Sequence, residues 1–115
     1  LEFSADGLLV RQPHSLKEIE DEGRILSHCV GGYAERHAMG KLSIMFLRKT
    51  SEPDKPYYTV EVSQYGGIVQ CRGYRNNVVQ NGGEDKPQEI KDFEQKYQRY
   101  LDMVFAEKRK ECKTA

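Results

Sequence analysis

The sequence predicts an α+β domain in which an antiparallel sheet follows N-terminal helices and precedes a long C-terminal helix. Three observations predict this class. Apolar residues recur at helical spacing near both ends of the chain, residues 42–74 alternate with a period of two, and the glycine pair at 66–67 marks a hairpin. This element order is typical of a sheet with its helices gathered on one apolar face.

The N-terminal third is predicted to hold one short strand and two helices. Residues 7–12 predict a strand or an extended arm. Ser15 and Glu18 match a capping box, in which the serine hydroxyl accepts an N–H group of the first helical turn. A second short helix is predicted from residue 34 and ends at Gly40, a common residue just after a helix.

The middle third predicts a meander of three strands over residues 42–49, 57–63 and 68–74, with a possible fourth at 78–80. With the two glycines at the hairpin turn, Glu61 is expected opposite Arg72. The apolar face of this hairpin is then expected to contribute four side chains to the core: Val60, Val62, Val69 and Cys71.

The C-terminal third predicts the most regular helix, over residues 87–107. Pro87 suits the first helical position. The charged tail, residues 108–115, is expected to fray. Together the elements predict one domain over residues 1–115, with a core of about residues 8–107. The predicted helix is amphipathic, and its apolar positions are Ile90, Phe93, Tyr97, Leu101 and Val104.

Composition and charge exclude several function classes. The 115 residues carry 18 basic and 18 acidic side chains, which argues against a polybasic nucleic-acid binder. The basic excess is local, because residues 41–80 carry six basic and three acidic groups whereas residues 1–40 carry four and seven. No apolar run is long enough to span a membrane. The three cysteines are far apart, so we expect a reducing, cytoplasmic location rather than a disulfide scaffold.

The polar face of the predicted hairpin has two interpretations. It holds Glu61, Gln70 and Arg72, and Arg48 at the end of the preceding strand could join them. As a solvated face, it contributes one cross-strand ion pair worth roughly 0.2–1 kcal/mol. As the floor of an active site, it supplies acid–base and phosphate-binding groups. The residue pattern leaves both interpretations open.

The string from His28 to Tyr33 is the most unusual local feature. His28 suits general acid–base catalysis or a phosphate contact, because an imidazole titrates near neutral pH. Cys29 is a possible nucleophile, with the following glycine N–H groups available to an oxyanion. The alternative is a buried cysteine that packs like a small apolar side chain. A zinc site built from His28, Cys29, His37 and Cys71 would match no familiar ligand spacing, so we expect no metal and no other cofactor.

Tyrosines and arginines interleave in the basic third of the chain. Such residues stack on bases and neutralise phosphates, which favours RNA or another phosphate-containing ligand as a partner. Tyrosine is also a common strand residue, so this signal has a structural explanation as well. The residues that carry it are Tyr57, Tyr58, Tyr65, Tyr74, Arg48, Arg72 and Arg75.

The motifs together resemble the PcfJ-like proteins. The resemblance rests on residues 22–33, on Gly40, Ile44 and Arg48, on Tyr58-Thr59-Val60-Glu61, on Gln70-Cys71-Arg72-Gly73, and on Asn76-Asn77. It spans roughly residues 8–105. It implies a protein of conjugative plasmids, phages and related elements, and it predicts that this chain is the C-terminal domain of longer family members.

The matched positions are polar, and they suggest an enzyme acting on RNA without a metal. The order of elements also resembles small metal-independent ribonucleases, a likeness of fold alone. The alternative is a non-enzymatic binding module that contacts a host or mobile-element protein. The expected catalytic residues are His28, Arg48, Glu61 and Gln70, the expected substrate-binding residues are Tyr33, Tyr58, Arg72 and Asn77, and Cys29 is the possible nucleophile.

Overall fold

The computed structural model describes residues 1–28 and 34–114 and has the predicted α+β class. Within these ranges, an antiparallel sheet of five strands, rather than three or four, lies between helices. The strands are β1 (Phe3–Ala5), β2 (Leu8–Arg11), β3 (Leu42–Lys49), β4 (Tyr58–Ser63) and β5 (Ile68–Arg72). The helices are α1 (Leu16–Leu26), α2 (Ala34–Ala38) and α3 (Gln88–Thr114), with short 3-10 turns at Tyr74–Asn77 and Val79–Asn81.

The strands lie in chain order, from β1 at one edge to β5 at the other. The additional strand β1 pairs with β2 across a tight turn at Asp6 and Gly7, whose φ angles are 54° and 78°. Asp-Gly is a frequent two-residue hairpin turn because both positions tolerate a positive φ. This dipeptide explains why the sheet begins at Phe3, before the first strand that was predicted at residues 7–12.

The register of β4 and β5 differs from the prediction. Glu61 lies opposite Gln70, and Arg72 lies opposite Thr59 instead of Glu61. The connection is a four-residue loop, and a bulge interrupts the pairing after Glu61. The bulge turns Val69 outward, so its side chain is 55% exposed and does not join the core as predicted. The other three predicted core residues are buried: Val60, Val62 and Cys71.

Helices cover both faces of the sheet, which corrects the expectation of a single helix-bearing face. The reason lies in β3, where apolar residues occupy successive positions and therefore point to both sides. On one side, Met45 and Leu47 pack with the α3 residues Ile90 and Phe93. The smaller core on the other side contains Ile19, Leu42, Ile44 and Phe46.

The start of α1 shows how local sequence and tertiary contacts combine. Ser15 Oγ accepts a hydrogen bond from the Glu18 N–H at 3.1 Å, as the capping box predicts. The Glu18 carboxylate reaches one residue further back, to the His14 N–H, and also binds Arg11 at 2.7 Å. The hydrogen bond from Arg11 lowers the pKa of Glu18 to about 2. The helix is thereby attached to β2.

Two C-terminal boundaries also differ from the predictions. The strand expected at residues 78–80 is a 3-10 turn, in a loop where Arg75, Asn76 and Asn77 all have positive φ. Helix α3 begins one residue after Pro87 and continues to Thr114, so the charged tail is helical through residue 114.

Candidate functional site

The C-terminal end of α1 directs His28 toward the sheet. Ser27 adopts a left-handed conformation with φ 53°, and the His28 N–H donates to Gly23 O at 3.0 Å. This closing hydrogen bond is typical of a helix that ends in a left-handed residue. The half-buried His28 ring then lies with Nε2 3.0 Å from Thr59 Oγ1 on β4.

A buried ion pair lies beneath this histidine. Arg48 on β3 donates to Glu22 on α1 through two nitrogens, at 2.6 Å and 2.9 Å. Both side chains are 1% exposed. Such two-point guanidinium–carboxylate pairs are short and geometrically specific. The pair therefore sets the position of the α1 carboxylate relative to the sheet.

Thr59 connects the ion pair to His28. Its hydroxyl donates to Glu22 Oε2 at 2.8 Å, and its oxygen then accepts from His28 Nε2. Burial lowers the pKa of His28 below its ordinary value, while the charge of Glu22 and a backbone hydrogen bond act in the opposite direction. Neutral His28 is thus favoured at physiological pH.

Arg48 was expected to contact a ligand, and the structure places it in the interior. Its guanidinium lies 4.5 Å from the centre of the Phe46 ring. Among the described residues, the buried Arg48 Nε has no hydrogen-bond partner. With two of its nitrogens committed to Glu22, Arg48 is suited to positioning that carboxylate, and its predicted part in catalysis stays a prediction.

The open part of the polar face lies next to Thr59. Arg72 is directly opposite Thr59 across the β4–β5 pair, and Gln70 is directly opposite Glu61. Residues two apart on a strand share a face, so these four side chains form one patch. Arg72 and Gln70 are exposed and Glu61 is partly exposed. Three of the predicted site residues therefore lie on the sheet face that His28 approaches.

Two predicted substrate-binding residues are engaged in holding a loop. Asn77 Nδ2 donates to the Tyr58 hydroxyl at 3.1 Å and to Glu84 O at 2.9 Å, while Asn77 Oδ1 accepts the Gly73 N–H. Tyr58 is 5% exposed, and its ring lies so close to Gly73 that an added Cβ would be 2.8 Å away. Tyr58 and Asn77 shape the loop that follows β5.

Cys29 and Tyr33, the possible nucleophile and the fourth predicted substrate contact, lie outside the described residues. Cys71 is on the α3 side of the sheet, opposite to the side that carries His28, and burial raises the pKa of its thiol. A zinc site that contains both His28 and Cys71 is therefore incompatible with the fold. Among the side chains that the structure describes, no group of three or more His, Cys, Asp or Glu residues is arranged to hold a metal ion.

Glu22 and Thr59 are the residues that the sequence reading did not assign to the site. Glu22 lies at helical spacing with the buried residues Ile19, Gly23 and Leu26. A carboxylate in the apolar stripe of a helix is a signal of a buried partner, because an unpaired buried charge is strongly unfavourable. That signal indicates Glu22 but not its partner, which is 26 residues away.

Comparison with known proteins assigns the chain to a family and not to an activity. A family model described as PcfJ-like protein matches residues 1–90. The chain is also 38% identical over 78 residues to an uncharacterized protein of Listeria innocua, covering 66% of this chain and 17% of that protein. No solved structure matches. The match lies at the N-terminal side of the chain, so the predicted C-terminal placement is not borne out.

The chain thus spans about a sixth of the length of the curated relative that it matches. Among the described helices, none combines the length and the apolar character that crossing a bilayer requires.

Proposed function

The chain belongs to the PcfJ-like protein family, and we propose that this domain cleaves RNA without a metal ion, with His28 as the proton acceptor. The observation that carries the proposal is the hydrogen-bonded series from the Arg48–Glu22 pair through Thr59 to His28. A histidine whose ring is oriented by a hydrogen-bonded partner, itself held by a third group, is a frequent arrangement in acid–base catalysis.

Arg72 supplies the positive charge for the phosphate. It is exposed and lies directly opposite Thr59, whose hydroxyl contacts the His28 ring. Directly opposed side chains on an antiparallel pair have Cβ atoms roughly 4.5–5.5 Å apart. A phosphate bound by Arg72 therefore lies within reach of His28. Arg48, by contrast, is buried and neutralised by Glu22, and acts as a positioning residue.

Glu61 and Gln70 form the next position along the same face. A separation of two residues on a strand corresponds to roughly 6.6 Å, which is enough for one phosphodiester between the two positions. Gln70 can orient the substrate through its amide, and Glu61 can hold the water that protonates the leaving oxygen. His28 and Glu61 then lie on opposite sides of the reacting phosphorus.

The reaction is an internal transfer. His28 takes the proton of a ribose 2′-hydroxyl, the 2′-oxygen bonds to the adjacent phosphorus, and the bond to the 5′-oxygen breaks. The leaving 5′-oxygen takes a proton from the water at Glu61, and the hydroxide that remains takes up the proton held by His28, so that the histidine returns to its neutral form. The products are a 2′,3′-cyclic phosphate and a 5′-hydroxyl. Arg72 stabilises the charge that develops on the phosphoryl oxygens.

The test uses a fluorophore–quencher oligodeoxynucleotide with one ribonucleotide. We expect cleavage at that nucleotide in the presence of EDTA, and none of the all-deoxy analogue. His28→Gln and Arg72→Gln should each lower the rate about 100-fold or more. Arg24→Gln, at an exposed arginine on α1, is the control and should leave the rate unchanged. A folded protein that cuts no RNA, or a fully active His28→Gln variant, would contradict the proposal.

A second candidate function is a binding module within a longer protein. It is favoured by exposed apolar side chains near β5, because Val69 is 55% and Val79 is 53% exposed. Exposed apolar side chains gain free energy when a partner protein removes them from water. Capture of a defined mobile-element or host protein that is lost with Val69→Lys, together with absence of RNA turnover, would favour this function.

A further inference from the structure

The edge strand β5 carries a strip of exposed side chains that the proposed reaction uses only in part. We define the β5 strip as Tyr65, Arg72, Tyr74 and Arg75, all of them exposed. Tyr65 is 77% exposed in the loop before β5, and Tyr74 is 44% exposed just after it. The five residues of β5 between these loops span roughly 16 Å at about 3.3 Å per residue.

The chain segment that carries the β5 strip has charged residues of one sign only. Residues 62–83 contain no aspartate or glutamate, and their two charged residues are Arg72 and Arg75. Within the basic middle third, residues 62–80 are the longest part that contains no acidic residue. Such a segment is complementary to a chain of phosphates.

The backbone edge of β5 is a poor template for an added protein strand. The Gln98 side chain from α3 accepts the Ile68 N–H at 2.9 Å and donates to Gly66 O at 2.9 Å. The bulge at Val69 further distorts the edge. Bulges and covered edges are the ways in which proteins prevent strand addition. The strip therefore offers side chains rather than backbone groups to a partner.

The loop after β5 holds two residues of the strip in a defined position. The Arg75 side chain donates through Nε to the Tyr74 hydroxyl at 3.1 Å and through a second nitrogen to Asn81 O at 2.6 Å. The Arg75 guanidinium lies 5.2 Å from the centre of the Tyr74 ring. An exposed aromatic ring with an adjacent guanidinium is suited to base stacking.

We propose that the β5 strip binds single-stranded RNA, with bases stacked on Tyr74 and Tyr65 and phosphates at Arg72 and Arg75. This inference rests on the proposed function for its choice of RNA, and it identifies the substrate as an unpaired strand of several nucleotides. Arg72 belongs to both surfaces, so the strand runs along β5 and presents one phosphate to His28.

The binding test uses fluorescence anisotropy with a fluorescein-labelled single-stranded 12-nucleotide RNA and the non-cleaving His28→Gln chain. Relative to this parent, Tyr74→Ala should weaken binding about tenfold, because stacking on one aromatic ring is lost. Tyr74→Phe should retain most of the affinity. Arg75→Gln should weaken binding and lower the slope of log affinity against log salt by about 0.7. The control is Arg99→Gln, at an exposed arginine on α3.

The outcomes separate the two proposals. If RNA binding depends on Tyr74 but the unaltered chain cleaves no RNA, the proposed function is wrong and RNA binding by the β5 strip is supported. If the chain cleaves long RNA and neither Tyr74→Ala nor Arg75→Gln changes the rate, RNA binding by the β5 strip is wrong and the proposed function is supported. Binding of duplex RNA as tightly as single strands also overturns the strip. So does capture of a protein through Tyr74 in the absence of RNA binding.

Discussion

The buried pair of Arg48 and Glu22 predicts a large and non-additive effect on stability. Both side chains are 1% exposed and share hydrogen bonds of 2.6 Å and 2.9 Å. Removing one member leaves the other charge buried without its partner, which costs about 3–5 kcal/mol. Domains of this size are stable by about 5–15 kcal/mol, so Arg48→Met is expected to lose a large share of the free energy of unfolding.

The double variant Arg48→Met with Glu22→Met tests the reason for that loss. Two apolar side chains of similar volume leave no buried charge, and such replacements are often neutral or stabilising. We therefore expect the double variant to be more stable than either single variant. The remaining cost is the hydrogen bond that Thr59 donates to Glu22, about 1 kcal/mol.

Urea unfolding followed by far-UV circular dichroism measures these free energies, and the chain has no tryptophan to follow instead. Arg24→Met removes an exposed pair with Asp21 and serves as the matched control, with an expected loss below about 1 kcal/mol. The predicted role of the buried pair is refuted if Arg48→Met costs less than about 1 kcal/mol. It is also refuted if the two single losses simply add in the double variant.

Three other features of the fold can be tested by substitution. Gly66→Ala should destabilise the fold more than Gly40→Ala, because both have a positive φ but only at Gly66 would the new Cβ meet the Phe105 ring, at 2.6 Å; thermal melts of both variants measure the difference. The pKa of Glu18 is about 2, below its unfolded value of 4.5, so its contribution is present above pH 4.5 and lost as the pH falls toward 2; Arg11→Met should remove most of this dependence in acid unfolding. Burial lowers the pKa of His28 from 6.5, so protonation of this ring opposes folding, and the free energy of unfolding should decline as the pH falls below 6.5 toward the folded-state pKa. His28→Gln should abolish this part of the decline. NMR titration of the ring should place its pKa below 6.5.

Residue patterns predicted the parts of the fold that depend on neighbours close in sequence, namely a helix cap, a strand and an amphipathic helix. The cap at Ser15, the strand β3 and the amphipathic face of α3 each follow from residue spacing over one or two turns or a few residues of strand. The bulge at Val69 depends on how a glycine-containing loop closes, and a shift in register is invisible to alternation alone. The consecutive apolar residues of β3 point to both faces of the sheet, so they could have predicted that helices cover both sides.

The candidate site was predictable in its exposed part and not in its buried part. Glu61, Gln70 and Arg72 share a face whenever β4 and β5 pair in either register, because the observed pairing differs from the predicted one by two residues there. The partner of Arg48 depends on how α1 lies across the sheet, which no short-range pattern encodes. An arginine near the end of a strand is compatible with solvent exposure and with burial alike.

The left-handed run at Arg75, Asn76 and Asn77 has a consequence for local opening of the chain. Each non-glycine residue in this conformation costs about 1–2 kcal/mol, and asparagine is the residue type that tolerates it best. The Asn77 side chain holds this segment by donating a hydrogen bond to the hydroxyl of Tyr58 on β4. The Gly73 N–H, which donates to Asn77 Oδ1, should then exchange with deuterium through opening of this loop alone, faster than the core amides of β4. Asn77→Ala should accelerate that exchange without a comparable change at Val60.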